Sequence, residues 1–178
     1  MKKYLYKTKF VRELAQMVKK HLKYINKSYQ KYAPPAWQVT DDNCKKIAAI
    51  CDAFTWKNIS LAVHTVYLTP QNWREQLEQE KPEEFFCEAT WQGLDREWEG
   101  LIFRNYDFEY DNRYVLKDIL KYCKKARIKT VFWNKEDSPK FDDKPYSFID
   151  TALLFDHIFT TTVECIQMYQ KLGHNSVH

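Results

Sequence analysis

Glycine is scarce in this chain: Gly93, Gly100 and Gly173 are its only three in 178 residues. A loop that wraps a phosphate needs several positions without a Cβ, and neither G-x-G-x-x-G nor G-x-x-x-x-G-K-[ST] occurs. Dinucleotide oxidoreductases and P-loop enzymes are thereby excluded. G-x-S-x-G is missing too, which removes the usual hydrolase elbow. Cysteine is present but not in a pattern: Cys44, Cys51, Cys87, Cys123 and Cys165 are odd in number and widely spaced, with no CxxC pair. Three of them, at 51, 87 and 123, lie in apolar segments and read as reduced core residues, not as a disulfide framework. The five histidines are scattered, so no metal or other cofactor is expected. No apolar run approaches the roughly 20 residues needed to cross a bilayer. The start "MKKYLYKTKF" lacks the apolar core of a secretory signal, and the chain is expected in the cytoplasm.

Apolar residues make up 44% and aromatic residues 16%, enough to bury a core in one domain with an appendage. The net charge of +4 is unevenly placed. Residues 1 to 40 carry ten Lys/Arg against Glu13 alone, a local +9 that leaves −5 for the remainder. In this arm Val11, Leu14, Val18, Leu22, Ile25, Tyr29 and Tyr32 advance by threes and fours, while the lysines fall mainly on other faces. The spacing predicts a basic amphipathic helix ended by Pro34 and Pro35. It would pack on its own domain, associate with another helix, or lie on an anionic membrane surface at the inner face.

From Asp41 onward the pattern changes. Strands are predicted at 46–51, 64–68, 84–88, 129–133 and 157–161, each bounded by polar or turn residues. Helices are predicted near 71–80, 112–126, 147–155 and 163–172, the second presenting Val115, Ile119, Leu120 and Cys123 on one side. Alternation of this kind predicts an α/β fold, a mostly parallel sheet with helices on both faces. "HNSVH" after Gly173 reads as the start of a further strand, as though the domain were truncated there.

In an open parallel sheet, ligands bind beyond the carboxyl ends of the strands. Asp52 follows the first predicted strand, Glu88 ends the third with Trp91 close behind, and Trp133 runs into Asn134, Lys135, Glu136 and Asp137 after the fourth. Thr161 ends the fifth. These residues would share one rim, with carboxylates able to serve as a general base and tryptophans as flat faces for a sugar or base ring. The bland alternative is that Asp and Asn sit there because turns and helix starts favour them, with Lys135 pairing to a neighbouring acid. A receiver-type signalling domain also uses such a rim. It would want paired acids after the first strand and Asp after the third, where this chain has Asp52 alone and Glu88.

The blocks "AAICDAFT", "LTPQNWREQLEQEKPEEFFCEATWQG", "KTVFWNKEDSPKFD" and "FIDTALLFDHIFTTTVECIQMYQKLGHNSVH" resemble those of the CgeB-like, or spore-maturation-protein, glycosyltransferases, with relatives in teichoic acid and cell-surface glycan loci. The family blocks read like D-E-F-[TS], L-T-P-x-N-W, E-S-A-W-x-G, W-N-K-E-D-P and F-D-x-x-F-T-T-D followed by C-x-x-x-Y. The resemblance covers Asp41 to His178 and implies a Rossmann-like N-terminal half of a GT-B fold. It implies an acceptor-side domain, with a nucleotide-sugar donor held mainly by a C-terminal domain and a glycan or polyol-phosphate acceptor held here. Asp52, Glu136 and Asp137 are then the candidate catalytic carboxylates. Glu88, Trp91, Trp133, Asn134, Lys135 and Thr161 are the candidates for substrate binding. Ala53, Thr90 and Thr162 depart from the Glu, Ala and Asp that the family has there.

Another class stays open on the residues alone, a non-catalytic binding or assembly module. In it, the sheet is a scaffold and the arm mediates assembly. Nucleic acid is not an expected partner, since the chain beyond the arm is net acidic and carries no reader motif.

Overall fold

The computed structural model describes residues 45–137 and 147–178. The chain divides into two units, Met1–Pro35 and Ala36–His178, and every described residue belongs to the second. The predicted arm over residues 1–40, Cys44, and the end of the "KTVFWNKEDSPKFD" block beyond Asp137 lie outside the described residues.

Five parallel strands form one sheet: β1 (Lys46–Ile50), β2 (His64–Tyr67), β3 (Glu84–Glu88), β4 (Lys129–Asn134) and β5 (His157–Thr160), in the order β2-β1-β3-β4-β5. Among the described residues, five helices alternate with them: α1 (Ala53–Ile59), α2 (Trp73–Glu80), α3 (Tyr114–Ala126), α4 (Ile149–Ala152) and α5 (Val163–Lys171). The fold is therefore α/β and Rossmann-like, as the alternation predicts. Among the described residues no helix is long and apolar enough to cross a membrane.

The strand order decides where a ligand would sit. From β1 the chain steps through α1 to β2 on one side, and from β2 it crosses through α2 to β3 on the other. Right-handed crossovers then put α1 on one face of the sheet and α2, α3 and α4 on the opposite face. The two directions diverge between β1 and β3, so the crevice of this sheet opens at their carboxyl ends.

Central β1 is buried on both faces, with Ala48, Ala49 and Ile50 fully covered, as a strand flanked by helix layers requires. β4 alternates: Thr130, Phe132 and Asn134 are buried on one face, while Val131 and Trp133 are half-buried on the other. On the buried face Phe132 meets Phe155 at 5.0 Å between ring centroids. The covered face of α3 is Leu116, Ile119 and Cys123, with Val115 and Leu120 on its flanks. The predicted stripe thus faces the core, with Leu116 added to its covered centre. The described thiols, Cys51, Cys87, Cys123 and Cys165, are all free and buried. Burial pushes the Cys123 thiol up to about 12, which leaves it an inert apolar group.

After Gly173 the chain does turn into a strand position. Val177 pairs in parallel with Ile158, and Ile158 N–H and Thr160 N–H donate to the carbonyls of Ser176 and His178, each at 2.9 Å.

One of the three glycines sits where a Cβ cannot fit. Gly93 has φ +76°, and an added Cβ would lie 2.5 Å from Glu97 Oε1, 2.8 Å from the Tyr67 hydroxyl and 2.9 Å from Trp98 Cδ1. These groups form one knot: the Tyr67 hydroxyl donates to Glu97, and Leu94 N–H reaches both oxygens at 3.0 Å. Gly93→Ala should therefore destabilise the domain by about 2–3 kcal/mol through strain and crowding together, measured as the urea midpoint at constant m-value.

Candidate active site at the switch point

Asp52 lies two residues beyond the end of β1 and caps α1. Its Oδ1 accepts from Phe54 N–H and Thr55 N–H, both at 3.0 Å, which satisfies two of the helix's unpaired donors. Glu88 closes β3 and is fully buried beneath the same helix start. Its Oε2 accepts from Asp52 N–H at 2.8 Å, and its Oε1 accepts from the Thr55 hydroxyl at 2.7 Å. Lys135, in the turn after β4, reaches across to both acids. Its ammonium pairs with Asp52 Oδ2 and with Glu88 Oε1, the latter at 2.7 Å.

Asp52, Glu88 and Lys135 thus meet at the divergence of β1 and β3. Their electrostatics follow from burial and pairing. Burial alone would raise the Asp52 carboxyl, but Lys135 and the two backbone donors outweigh it and hold the group below its ordinary range. Burial likewise disfavours the Lys135 ammonium, and its hydrogen bonds to Asp52 and Glu88 reverse this and hold its pKa above the usual lysine value. One cation against two carboxylates leaves the trio a net negative charge. Asp52 is the most exposed member, with about a third of its side chain accessible against about a quarter for Lys135.

The rest of the Asn134–Asp137 turn goes elsewhere. Asn134 lies on the other sheet face, as the period-two alternation of β4 requires. Its Nδ2 donates to Asp137 Oδ1 at 2.6 Å and to the Tyr169 hydroxyl at 2.8 Å, and that hydroxyl donates to Asp137 Oδ1 at 3.1 Å. Tyr169 comes from α5 and is fully buried. Asp137 is 4% exposed, and its Oδ2 has no hydrogen-bond partner among the described residues. Burial raises its carboxyl to about 6, against the opposing pull of the Thr160, Tyr169 and Asn134 side chains. Glu136 is half-buried in the same turn, its backbone N–H donating to Asn134 Oδ1 at 3.3 Å.

The structure therefore divides the predicted rim. Asp52, Glu88 and Lys135 are brought together, while Asn134 and Asp137 form a second cluster with Tyr169. The two tryptophans are placed differently from each other. Trp91 is half-buried within an aromatic group, 5.0 Å from Phe148 in an edge-to-face contact and 5.1 Å from Phe103. Trp133 is half-buried beside Phe86, 6.3 Å away on the sheet face that also carries Glu88. Thr161 is exposed beyond β5, two strands out from β3.

Two residues of these clusters are missing from the sequence-based candidates. Thr55 lies inside a seven-residue helix that shows no apolar periodicity, and its one signal is that it ends the "AAICDAFT" block. Tyr169 carried a signal, because it ends the C-x-x-x-Y block. No family model, curated protein or solved structure matches the chain.

Proposed function

We propose that this is the acceptor-side domain of a glycosyltransferase that moves a sugar from a nucleotide donor to a hydroxyl of a cell-surface glycan. The observation that carries the reading is the placement of Asp52. A carboxylate kept ionised through the neutral range stands at the switch-point crevice, fixed by a lysine and two backbone N–H groups. Such a group is ready to accept a hydrogen bond from an acceptor hydroxyl and to take its proton as a sugar is transferred. Lys135 positions Asp52 instead of touching substrate, and Glu88 anchors Lys135 from below. Glu136 flanks the crevice, and Asp137 with Asn134 and Tyr169 holds the turn in shape. The net negative charge of the trio favours a neutral acceptor over a polyol phosphate, since the Lys135 charge is already consumed. The donor would be held mainly by a further domain, and the resemblance of the sequence blocks supports that division.

The test is a thermal-shift comparison of neutral oligosaccharides, glycerol-phosphate oligomers and sugar nucleotides. The neutral oligosaccharides should raise the melting temperature by about 3 °C or more at ten times their Kd, and Asp52→Asn should remove the shift. Asn keeps an Oδ1 for the helix cap, so the variant should fold. Stabilisation by sugar nucleotides alone would overturn the acceptor-side assignment.

One observation favours a second reading, a degenerate signalling receiver. A lysine bridges the acid that follows β1 and the acid that ends β3 in this sheet order. That reading predicts phosphorylation by acetyl phosphate, whereas complete burial of Glu88 and its occupied oxygens predict no incorporation of phosphate.

A further inference from the structure

Between β3 and α3 the chain makes a long excursion, residues 89–113, at the same carboxyl edge of the sheet as Asp52. Its tip reads "RNYDFEYDNRY", 104–114, and exposes large rings: Phe108 is 43% accessible and Tyr110 57%. The two rings stack at 5.3 Å between centroids with planes 13° apart. The proposed function makes no use of them.

The tip is held from inside. Asn112 is buried, and its Nδ2 donates to the carbonyls of Gly100 at 2.6 Å and Phe103 at 2.7 Å, while its Oδ1 accepts from Asn105 N–H at 2.8 Å. The Arg104 guanidinium donates to the carbonyls of Asn105 at 2.9 Å, Tyr110 at 2.5 Å and Phe108 at 3.3 Å. Arg113 is buried and paired with Asp111. Both arginines are thus engaged within the excursion, and the charges left exposed between Tyr106 and Tyr110 are the carboxylates of Asp107 and Glu109.

We propose that the Phe108–Tyr110 stack is a binding subsite for a neutral sugar ring of an oligosaccharide. Aromatic faces are electron-rich and take the polarised C–H face of a pyranose, and adjacent carboxylates accept hydrogen bonds from its hydroxyls. Exposed carboxylates without a free cation repel phosphate-rich polymers and nucleic acid. An apolar protein partner would have to strip water from Asp107 and Glu109 without pairing them. Because the tip is already fixed by Arg104 and Asn112, little ordering remains to oppose binding. Naming the oligosaccharide as the acceptor rests on the glycosyltransferase reading; binding of the sugar does not.

The experiment is a heteronuclear NMR titration of the 178-residue chain with cellohexaose, chitohexaose, a glycerol-phosphate hexamer and hexalysine. One of the neutral hexasaccharides should shift Phe108 and Tyr110, and Phe108→Ala with Tyr110→Ala should weaken it at least tenfold. The rings are exposed, so the double variant should melt with the parent chain. Asp107→Asn with Glu109→Gln should weaken binding less and provides a second readout should the alanines perturb the tip. Shifts confined to hexalysine or the glycerol phosphate, or hexasaccharide affinity unchanged in the double variant, would overturn the subsite. Sugar binding at Phe108 without any change at Asp52 would keep the subsite and remove the acceptor role. Changes at Asp52 without Phe108 would do the reverse.

Discussion

Replacing Lys135 by Met should destabilise the domain by about 3–5 kcal/mol, the largest loss expected from any single side chain at the site. Glu88 is fully buried, and Lys135 is the cation paired with it. Removing the ammonium leaves a charge under α1 with only Thr55 and one backbone N–H to compensate it. Asp52 loses its partner as well, though its exposed part regains water. The cost is therefore a desolvation effect located at Glu88, and it should be relieved where the charge itself is removed. Glu88→Gln in the Lys135→Met background should recover at least half of the loss, because the amide oxygen still accepts from Asp52 N–H or Thr55. Urea unfolding of the four chains of this cycle gives the coupling. Equal losses in the single and double variants would mean that the lysine packs here without neutralising Glu88.

Asp137 should show the opposite behaviour, a group that weakens the fold when ionised. Its folded carboxyl titrates near 6, against 3.8 for the free side chain. Below pH 4 both states hold the proton and nothing is lost. Between about pH 4 and 6 the unfolded chain releases the proton while the folded chain retains it, so stability falls as pH rises. Above 6 the loss is complete, at most about 3 kcal/mol for a shift of this size. Asp137→Asn keeps an oxygen for Asn134 and Tyr169, although it places an NH2 where Oδ2 has no partner. The variant should therefore lack the fall between pH 4 and 6 and be more stable than the parent at pH 8, by about 1 kcal/mol after the unsatisfied donor is counted. Denaturation at pH 4, 6 and 8 reads both effects, and a parent chain with a flat profile across that range would show that Asp137 ionises freely.

Much of the fold was legible because each strand is a short apolar run bounded by polar residues. "KIAAIC" and "EFFCE" mark the buried centre of the sheet, and the placement of Asp52 and Glu88 just beyond or at the ends of those strands follows directly. α1 was not legible. Its seven residues include Phe, Thr, Trp and Ile, which favour strands as readily as helices, and the helix forms because Asp52 caps it and the crossover needs it. The split of the Asn134–Asp137 turn was hidden for another reason. Four polar residues in a row look like one cluster, whereas leaving an alternating strand sends Asn134 and Lys135 to opposite faces. Burial also lay beyond the pattern. Nothing in "NKED" distinguishes Asp137, enclosed beside Tyr169, from Glu136, which stays half-open.

Under the proposed function, the crevice formed by Asp52, Glu88 and Lys135 receives the hydroxyls of a neutral glycan. The most direct test is amide and carboxyl NMR of the labelled chain as a neutral oligosaccharide is added, read at Asp52. A saturable change of the Asp52 carboxyl signal is expected, largest there and at Lys135, and absent with glycerol-phosphate oligomers. A saturating oligosaccharide that leaves the Asp52 carboxyl unmoved, or a sugar nucleotide that moves it alone, would contradict it.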